Sequence, residues 1–174
     1  TLIVTGGLGF IGSNLIELLL KERYKVINID KVSYSSNFYN LKDLKRNNNY
    51  KFIQCDLNNR SKLKKIITKY RPSGIFNLAA ETHVDRSIDN PKIFIESNIL
   101  GVFNLLEVFK EYSKKNKKTR LIHISTDEVY GDVLRGRSNE NYSYKPSSPY
   151  AASKASSDHL VSSYVRTYNI PAII

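Results

Sequence analysis

The feature that most constrains this chain is a run of glycines in a fixed place. Residues 1–5 (TLIVT) read as a short β-branched strand, and GGLGFIG follows at once. Gly7, Gly9 and Gly12 satisfy G-x-G-x-x-G, and Gly6, Gly9 and Gly12 satisfy G-x-x-G-x-x-G. Glycines in such a turn let a pyrophosphate come close to the backbone. A helix is expected next, with Ile11, Leu15, Leu18 and Leu19 on one apolar side. Its first turn offers N–H groups and a favourable dipole to phosphate. A glycine motif alone is weak evidence; the strand before it and the helix after it supply the required context. A second strand, 25–29, ends at Asp30, eighteen residues past Gly12. That offset suits a carboxylate that holds two free ribose hydroxyls and repels a 2′-phosphate, so NAD is preferred over NADP.

The remaining chain keeps the same rhythm. Strands are expected at 50–55, 74–78, 120–125 and from Ala172, and helices at 61–70, from Asn90-Pro91 to about 113, and at 148–168. Ile95, Ile99, Val102, Phe103 and Leu106 give the second of these helices a wide apolar stripe, more than a core needs, which a dimer seam could use. Strands alternating with helices imply an α/β fold, a doubly wound parallel sheet of Rossmann type with right-handed crossovers. The sixth strand is cut short, so the fold is expected to be incomplete at its C-terminal end.

Composition narrows the function classes. At 174 residues the chain is one domain with room for a core. The formal net charge of +11 raises the question of nucleic acid. The densest basic run, Lys114, Lys115, Lys117 and Lys118, falls between a helical and a strand pattern, where a solvated turn is expected. No nucleic-acid motif accompanies it, so no nucleic-acid partner is expected. No apolar run approaches a membrane span. Cys55 is the only cysteine, so no disulfide or cysteine-based zinc site is expected, and a reducing cytoplasm is the natural setting. His and carboxylates show no metal spacing.

The chemistry concentrates between Leu121 and Lys154. The apolar run LIHIS ends in Thr126-Asp127-Glu128, and Tyr150 stands four residues before Lys154 on an expected helix. Residues four apart share a helix face, and an ammonium beside a phenol favours its anion. Thr126, Asp127 and Glu128 carry acid and base capacity, although such residues also cap helix starts. Small Ala79 and Ala80 after the fourth strand let a cofactor lie close, with His83, Asp85 and Arg86 clustered in the loop beyond. Asp56-Leu57 either meets the adenine end of a dinucleotide or opens the loop before the next helix.

Taken together, TGGLGFIG, Asp30, NLAAETHVDRSI, STDEVYG and YAASK resemble the extended short-chain dehydrogenase/reductase family, and within it the dTDP-glucose 4,6-dehydratases. The resemblance covers essentially the whole chain in order. It implies an NAD site formed by Gly6, Gly9, Phe10, Ile11, Gly12, Asp30, Lys31, Asp56, Leu57, Ala79 and Ala80, closed by Tyr150 and Lys154. It implies catalysis by Tyr150, Lys154, Thr126, Asp127 and Glu128, and contact of His83, Asp85 and Thr126 with a nucleotide-diphosphate sugar. Such enzymes are homodimers with a C-terminal half that grips the nucleotide, so this chain alone is expected to be inactive. The alternatives are a UDP-glucose dehydratase, a UDP-sugar 4-epimerase, which needs no paired carboxylates, and a non-catalytic NAD-binding domain.

Overall fold

The computed structural model describes residues 1–133 and 135–174, and of Lys45 the backbone alone. Six parallel strands form one sheet: β1 (Leu2–Thr5), β2 (Val26–Asp30), β3 (Tyr50–Gln54), β4 (Gly74–Asn77), β5 (Arg120–His123) and β6 (Ala172–Ile173). Their order is β3-β2-β1-β4-β5-β6. The chain therefore winds outward one way from β1 and then the other way from β4, as the alternating pattern predicts. Between β1 and β4, which pair from Leu2↔Gly74 to Thr5↔Asn77, lies the switch point where open α/β sheets bind ligands beyond the strands' C-terminal ends.

Helices cover both faces. On one side α1 (Phe10–Lys21) packs over β1 and β2. On the other, α2 (Arg60–Tyr70), α5 (Gly101–Lys115) and α6 (Pro149–Tyr168) bury Leu63, Leu106, Phe109 and Val161 against Ile3, Ile27 and Ile75. Burying each of these large apolar side chains contributes about 1.5–3 kcal/mol. Local chemistry sets the helix ends. Ser148 accepts the Ala151 N–H at 3.0 Å and Pro149 takes the first position of α6, while Asn169 closes it at φ 51°. Asn59 likewise accepts from the Lys62 N–H and starts α2.

Two apolar faces differ from expectation. In α1 the buried residues are Gly12, Ser13, Ile16 and Leu19, whereas Ile11 and Leu18 are exposed. A Cβ on Gly12 would lie 2.3 Å from the Gly6 carbonyl oxygen and 2.7 Å from Gly7 Cα, so this face is pinned by contact with the turn. Gly12 and Ser13 do not register as apolar in the sequence; of the expected stripe, Leu19 is buried and Leu15 packs against the core, while Ile11 and Leu18 lie outside it. The helix expected from Asn90 to about 113 is also not uniform. It runs as α4 (Pro91–Phe94), a π turn (Ile95–Leu100) and then α5. A π turn inserts extra chain and rotates the face. Val102 and Leu106 are buried as expected, but Ile95 and Phe103 stand exposed with Leu100. The expected loop at His83, Asp85 and Arg86 contains a short helix, α3 (Val84–Asp89). Among the described residues no helix is long and apolar enough to cross a membrane.

Gly12→Ala should destabilise the protein by about 1–3 kcal/mol, the range for forcing added volume into a packed site. Gly9→Ala, whose Cβ would meet only the Gly6 oxygen at 3.3 Å, should cost clearly less. Urea unfolding of the two variants checks the order.

Candidate active site

A cavity of about 460 Å³ runs along the C-terminal ends of the strands. At its centre is the glycine-rich turn. Gly6 has φ +70°, and a Cβ there would lie 2.7 Å from the Ala79 backbone nitrogen, so only glycine lets β1 and β4 exit side by side. Gly6, Gly9, Phe10, Ile11 and Gly12 all line the cavity, as do Asp56, Leu57, Ala79 and Ala80. Phe10 and Ile11 are exposed at its mouth. Asp56 also accepts the Asn58 N–H at 2.8 Å, so it serves the local turn while facing the cavity.

Asp30 closes one end. It is buried, and its carboxylate accepts the Leu8 N–H at 3.0 Å, the Val32 N–H at 2.8 Å and the Ser36 hydroxyl at 2.9 Å. One side chain thus ties the glycine-rich turn to the segment after β2. Val32 holds φ 65°, an unfavourable value for a β-branched residue, in a turn fixed by that second bond. Ser33, Ser35 and Ser36 join the lining here and were not anticipated; their only sequence signal is a polar, turn-rich stretch.

The opposite end is formed by β5 and α6. Tyr150 and Lys154 line the cavity with Ile124 and Ser125. The Lys154 ammonium donates to the Ile124 carbonyl at 2.6 Å. Burial lowers the Lys154 pKa from 10.5 to about 8, against the opposing pull of the Asp158 carboxylate. The expected acidification of Tyr150 by Lys154 is not what this chain shows. Burial pushes the phenol up, a hydrogen bond with Thr126 pulls it down, and the Glu128 and Asp127 charges push it up again. The lysine directs its charge at a carbonyl instead.

Thr126, Asp127 and Glu128 sit at the rim beside Tyr150 rather than in the cavity wall. Thr126 caps a short 3₁₀ turn (Asp127–Tyr130), its hydroxyl accepting the Glu128 N–H at 3.3 Å. Capping and chemistry are therefore compatible uses of the same residues. Burial, then the neighbouring Asp127 charge, raises the Glu128 carboxyl, a direction that favours a base working near neutral pH. His83 lines the cavity and precedes α3 without a side-chain capping bond, while Asp85 is exposed on that helix and is not part of the wall. Among the described residues no three His, Cys, Asp or Glu side chains gather to hold a metal ion.

Beneath this end lies a polar network that sequence reasoning missed. Thr5 Oγ1 donates to Asn77 at 2.6 Å, and Asn77 Nδ2 donates to His123 Nδ1 at 2.9 Å. His123 Nε2 reaches Ser157 at 3.2 Å and lies 3.5 Å from Asp158. Burial lowers the His123 imidazole, against the opposing pull of Asp158. Asp158 in turn accepts from Ser125 and, at 3.1 Å, from Tyr144. The residue before Thr126 is thus anchored to the helix that carries Tyr150.

A family model described as GDP-mannose 4,6 dehydratase matches residues 3–174. The chain belongs to that family. It is 46% identical over 182 residues to the dTDP-glucose 4,6-dehydratase of Neisseria meningitidis serogroup B, covering 99% of this chain and 51% of that protein. It is 43% identical over 189 residues to that of Salmonella typhimurium, covering 99% and 52%. The chain spans about half the length of the curated relatives it matches. Among solved structures, the dTDP-glucose 4,6-dehydratase of Streptomyces venezuelae with NAD bound superposes with a TM-score of 0.91 at 36% identity, over 98% of this chain and 53% of that one. The UDP-glucose 4-epimerase of Thermus thermophilus, also in complex with NAD, gives 0.87 at 32% identity, over 98% and 52%.

Lys154 carries a pH signature. Folding lowers its pKa from 10.5 to about 8, so between those values the unfolded chain holds a proton the folded chain has released. Its contribution therefore disfavours folding below pH 8 and is relieved as pH rises towards 10.5. Lys154→Met should gain up to about 3 kcal/mol relative to the wild type at pH 7, a gain that shrinks as pH rises through this window. Denaturant midpoints of both proteins across the window test it; a pH-independent difference contradicts the buried-amine account.

Proposed function

We propose that this chain is the NAD-binding and catalytic part of a cytoplasmic dTDP-glucose 4,6-dehydratase. The observation that carries the reading is the pairing of Asp127 and Glu128 beside Tyr150, at the opposite end of one cavity from Asp30. The cavity fits a dinucleotide. Gly6, Gly9 and Gly12 line it at the turn that opens α1, and the Asp30 carboxylate stands where a ribose would end. Gly6, Gly9 and Gly12 would hold the pyrophosphate, Asp30 and Lys31 the adenosine ribose, Asp56 and Leu57 the adenine, and Ala79, Ala80, Tyr150 and Lys154 the nicotinamide half. NAD held there would supply a reversible hydride acceptor, for carbon 4 of the sugar first and for carbon 6 on return.

The residues divide the proton transfers. Tyr150 takes the proton of the sugar 4-hydroxyl, with Thr126 hydrogen-bonded to the same oxygen. The phenolate must be formed against burial; with NAD bound, the nicotinamide together with the Lys154 ammonium would favour it. The resulting ketone acidifies the hydrogen on carbon 5, and Glu128 removes it. Asp127 protonates the departing 6-hydroxyl, so water leaves and a 4-keto-5,6-ene remains; return of the hydride to carbon 6 and of the Glu128 proton to carbon 5 would then give the 4-keto-6-deoxy sugar. Two carboxylates are required because one must accept a proton while the other gives one. A 4-epimerization needs no such pair, so Asp127-Glu128 favours the dehydratase over the epimerase reading, although both kinds of enzyme share this fold.

His83, at the cavity wall, and Asp85, exposed on α3 beside it, are assigned to the substrate. The nucleotide grip is assigned to sequence corresponding to the half of the relatives that this chain does not match. A homodimer is also proposed, with the helices of 91–115 and α6 paired with a second copy. The exposed Ile95, Leu100 and Phe103 support that seam, and sedimentation of the full-length protein at monomer mass would remove it.

The full-length protein should convert dTDP-glucose to its 4-keto-6-deoxy product, with UDP-glucose turned over poorly. Residues 1–174 alone should show under a hundredth of that rate, because orientation of a gripped substrate supplies roughly 7–11 kcal/mol of barrier lowering. Separate incubations followed by detection of the keto sugar check this. Inversion at carbon 4 without loss of water would replace the reading with the epimerase.

A further inference from the structure

Among the described residues, two lysines line the cavity, one at each end. Lys154 belongs to the end with Tyr150. Lys31 stands beside Asp30, where a basic side chain could welcome the 2′-phosphate of NADP. Its ammonium is already engaged, 2.6 Å from Glu81 Oε1 and 2.6 Å from Ser97 Oγ. Glu81 is 3% exposed, and its second oxygen, Oε2, has no hydrogen-bond partner among the described residues. A buried carboxylate with one cation holds that cation strongly, since leaving it unpaired is costly.

The Glu81 backbone is also fixed in place. Asn98 accepts its N–H at 2.8 Å and donates to its carbonyl at 2.9 Å, and donates again to Ser153 at 2.8 Å. Asn98 is itself 1% exposed. Ser97 and Asn98 both come from the π turn (Ile95–Leu100), so one local irregularity supplies Lys31's second partner and the clamp on its first. The other nearby cation, Arg86, lies over the Tyr34 ring at 3.5 Å and is not part of the cavity wall.

From this arrangement we propose that Glu81 is a specificity-determining residue: by neutralising Lys31 it denies a ribose 2′-phosphate its nearest cation and works with Asp30 to admit NAD and reject NADP. The formal charge of Asp30, Lys31 and Glu81 together is −1, and Glu81→Gln brings it to zero while releasing an ammonium into the cavity. The inference rests on the NAD reading above.

Calorimetric titration of the protein with NAD and with NADP at low ionic strength tests it. The wild type should prefer NAD. Glu81→Gln should move the NADP-to-NAD affinity ratio towards NADP by about tenfold or more, with NAD affinity held within roughly threefold, the scale of one freed charge near a partly exposed phosphate. Lys31→Gln removes the cation instead and should leave the ratio unchanged or further towards NAD. A wild type that binds neither nucleotide removes the cofactor reading and this inference with it. If the wild type binds NAD but Glu81→Gln leaves the ratio unchanged, the inference alone fails. A Lys31→Gln shift towards NADP also overturns it, and that variant decides the matter should Glu81→Gln not fold.

Discussion

Where β1 and β4 part, backbone lies against backbone. The Cα of Gly6 is so close to the Leu78–Ala79 peptide, and Gly12 so close to Gly6, that any side chain would displace a main-chain atom. That contact opens the cavity at the switch point, sets which face of α1 is buried, and brings the start of that helix to bear on whatever enters. Asp30 reinforces it from the side by holding the Leu8 N–H. Without such close approach the two halves of the sheet would splay, and Asp30 and Tyr150 would no longer address one space.

The two ends of that space are built differently. The Asp30 end depends on charge: a carboxylate that orders a turn, a lysine locked to a buried glutamate, and serines at the wall. The Tyr150 end depends on a layer of polar groups beneath it, from Thr5 through Asn77 and His123 to Asp158. These groups are buried between strands and α6, where an unmade hydrogen bond is expensive, so the layer favours one arrangement of β5 against α6. Ser125 and Tyr144, both bonded to Asp158, extend that order to the segments around Thr126 and the start of α6.

Much of this was legible in the sequence because it rests on local signals. Glycine spacing after a strand, an acid after the next strand, and alternating elements lead directly to the parallel sheet, and the residues named for the glycine-rich turn, Asp30 and Ala79-Ala80 do line the cavity. What escaped depends on contacts distant in the chain. The buried face of α1 includes Gly12 against Gly6 as well as Ile16 and Leu19, and that backbone contact leaves no apolar signal. The π turn at Ile95–Leu100 leaves no pattern in composition, yet it rotates the apolar stripe and presents Asn98 to Glu81. The Tyr150 phenol is raised because burial outweighs the charges around it, and helical spacing to Lys154 says nothing about burial. Asp85 stands in a suggestive cluster, but α3 carries it to the surface.

The central claim is a division of labour in which Tyr150 acts before the ketone exists and Asp127 acts after it. Rapid-mixing absorbance of the nicotinamide, in the full-length protein given dTDP-glucose, separates the two steps. The account predicts that Asp127→Asn still reduces the nicotinamide on mixing and then stalls with slow formation of keto-deoxy product, whereas Tyr150→Phe shows no reduction. Loss of reduction in Asp127→Asn as complete as in Tyr150→Phe would contradict it and make Asp127 a positioning residue rather than the acid of the elimination.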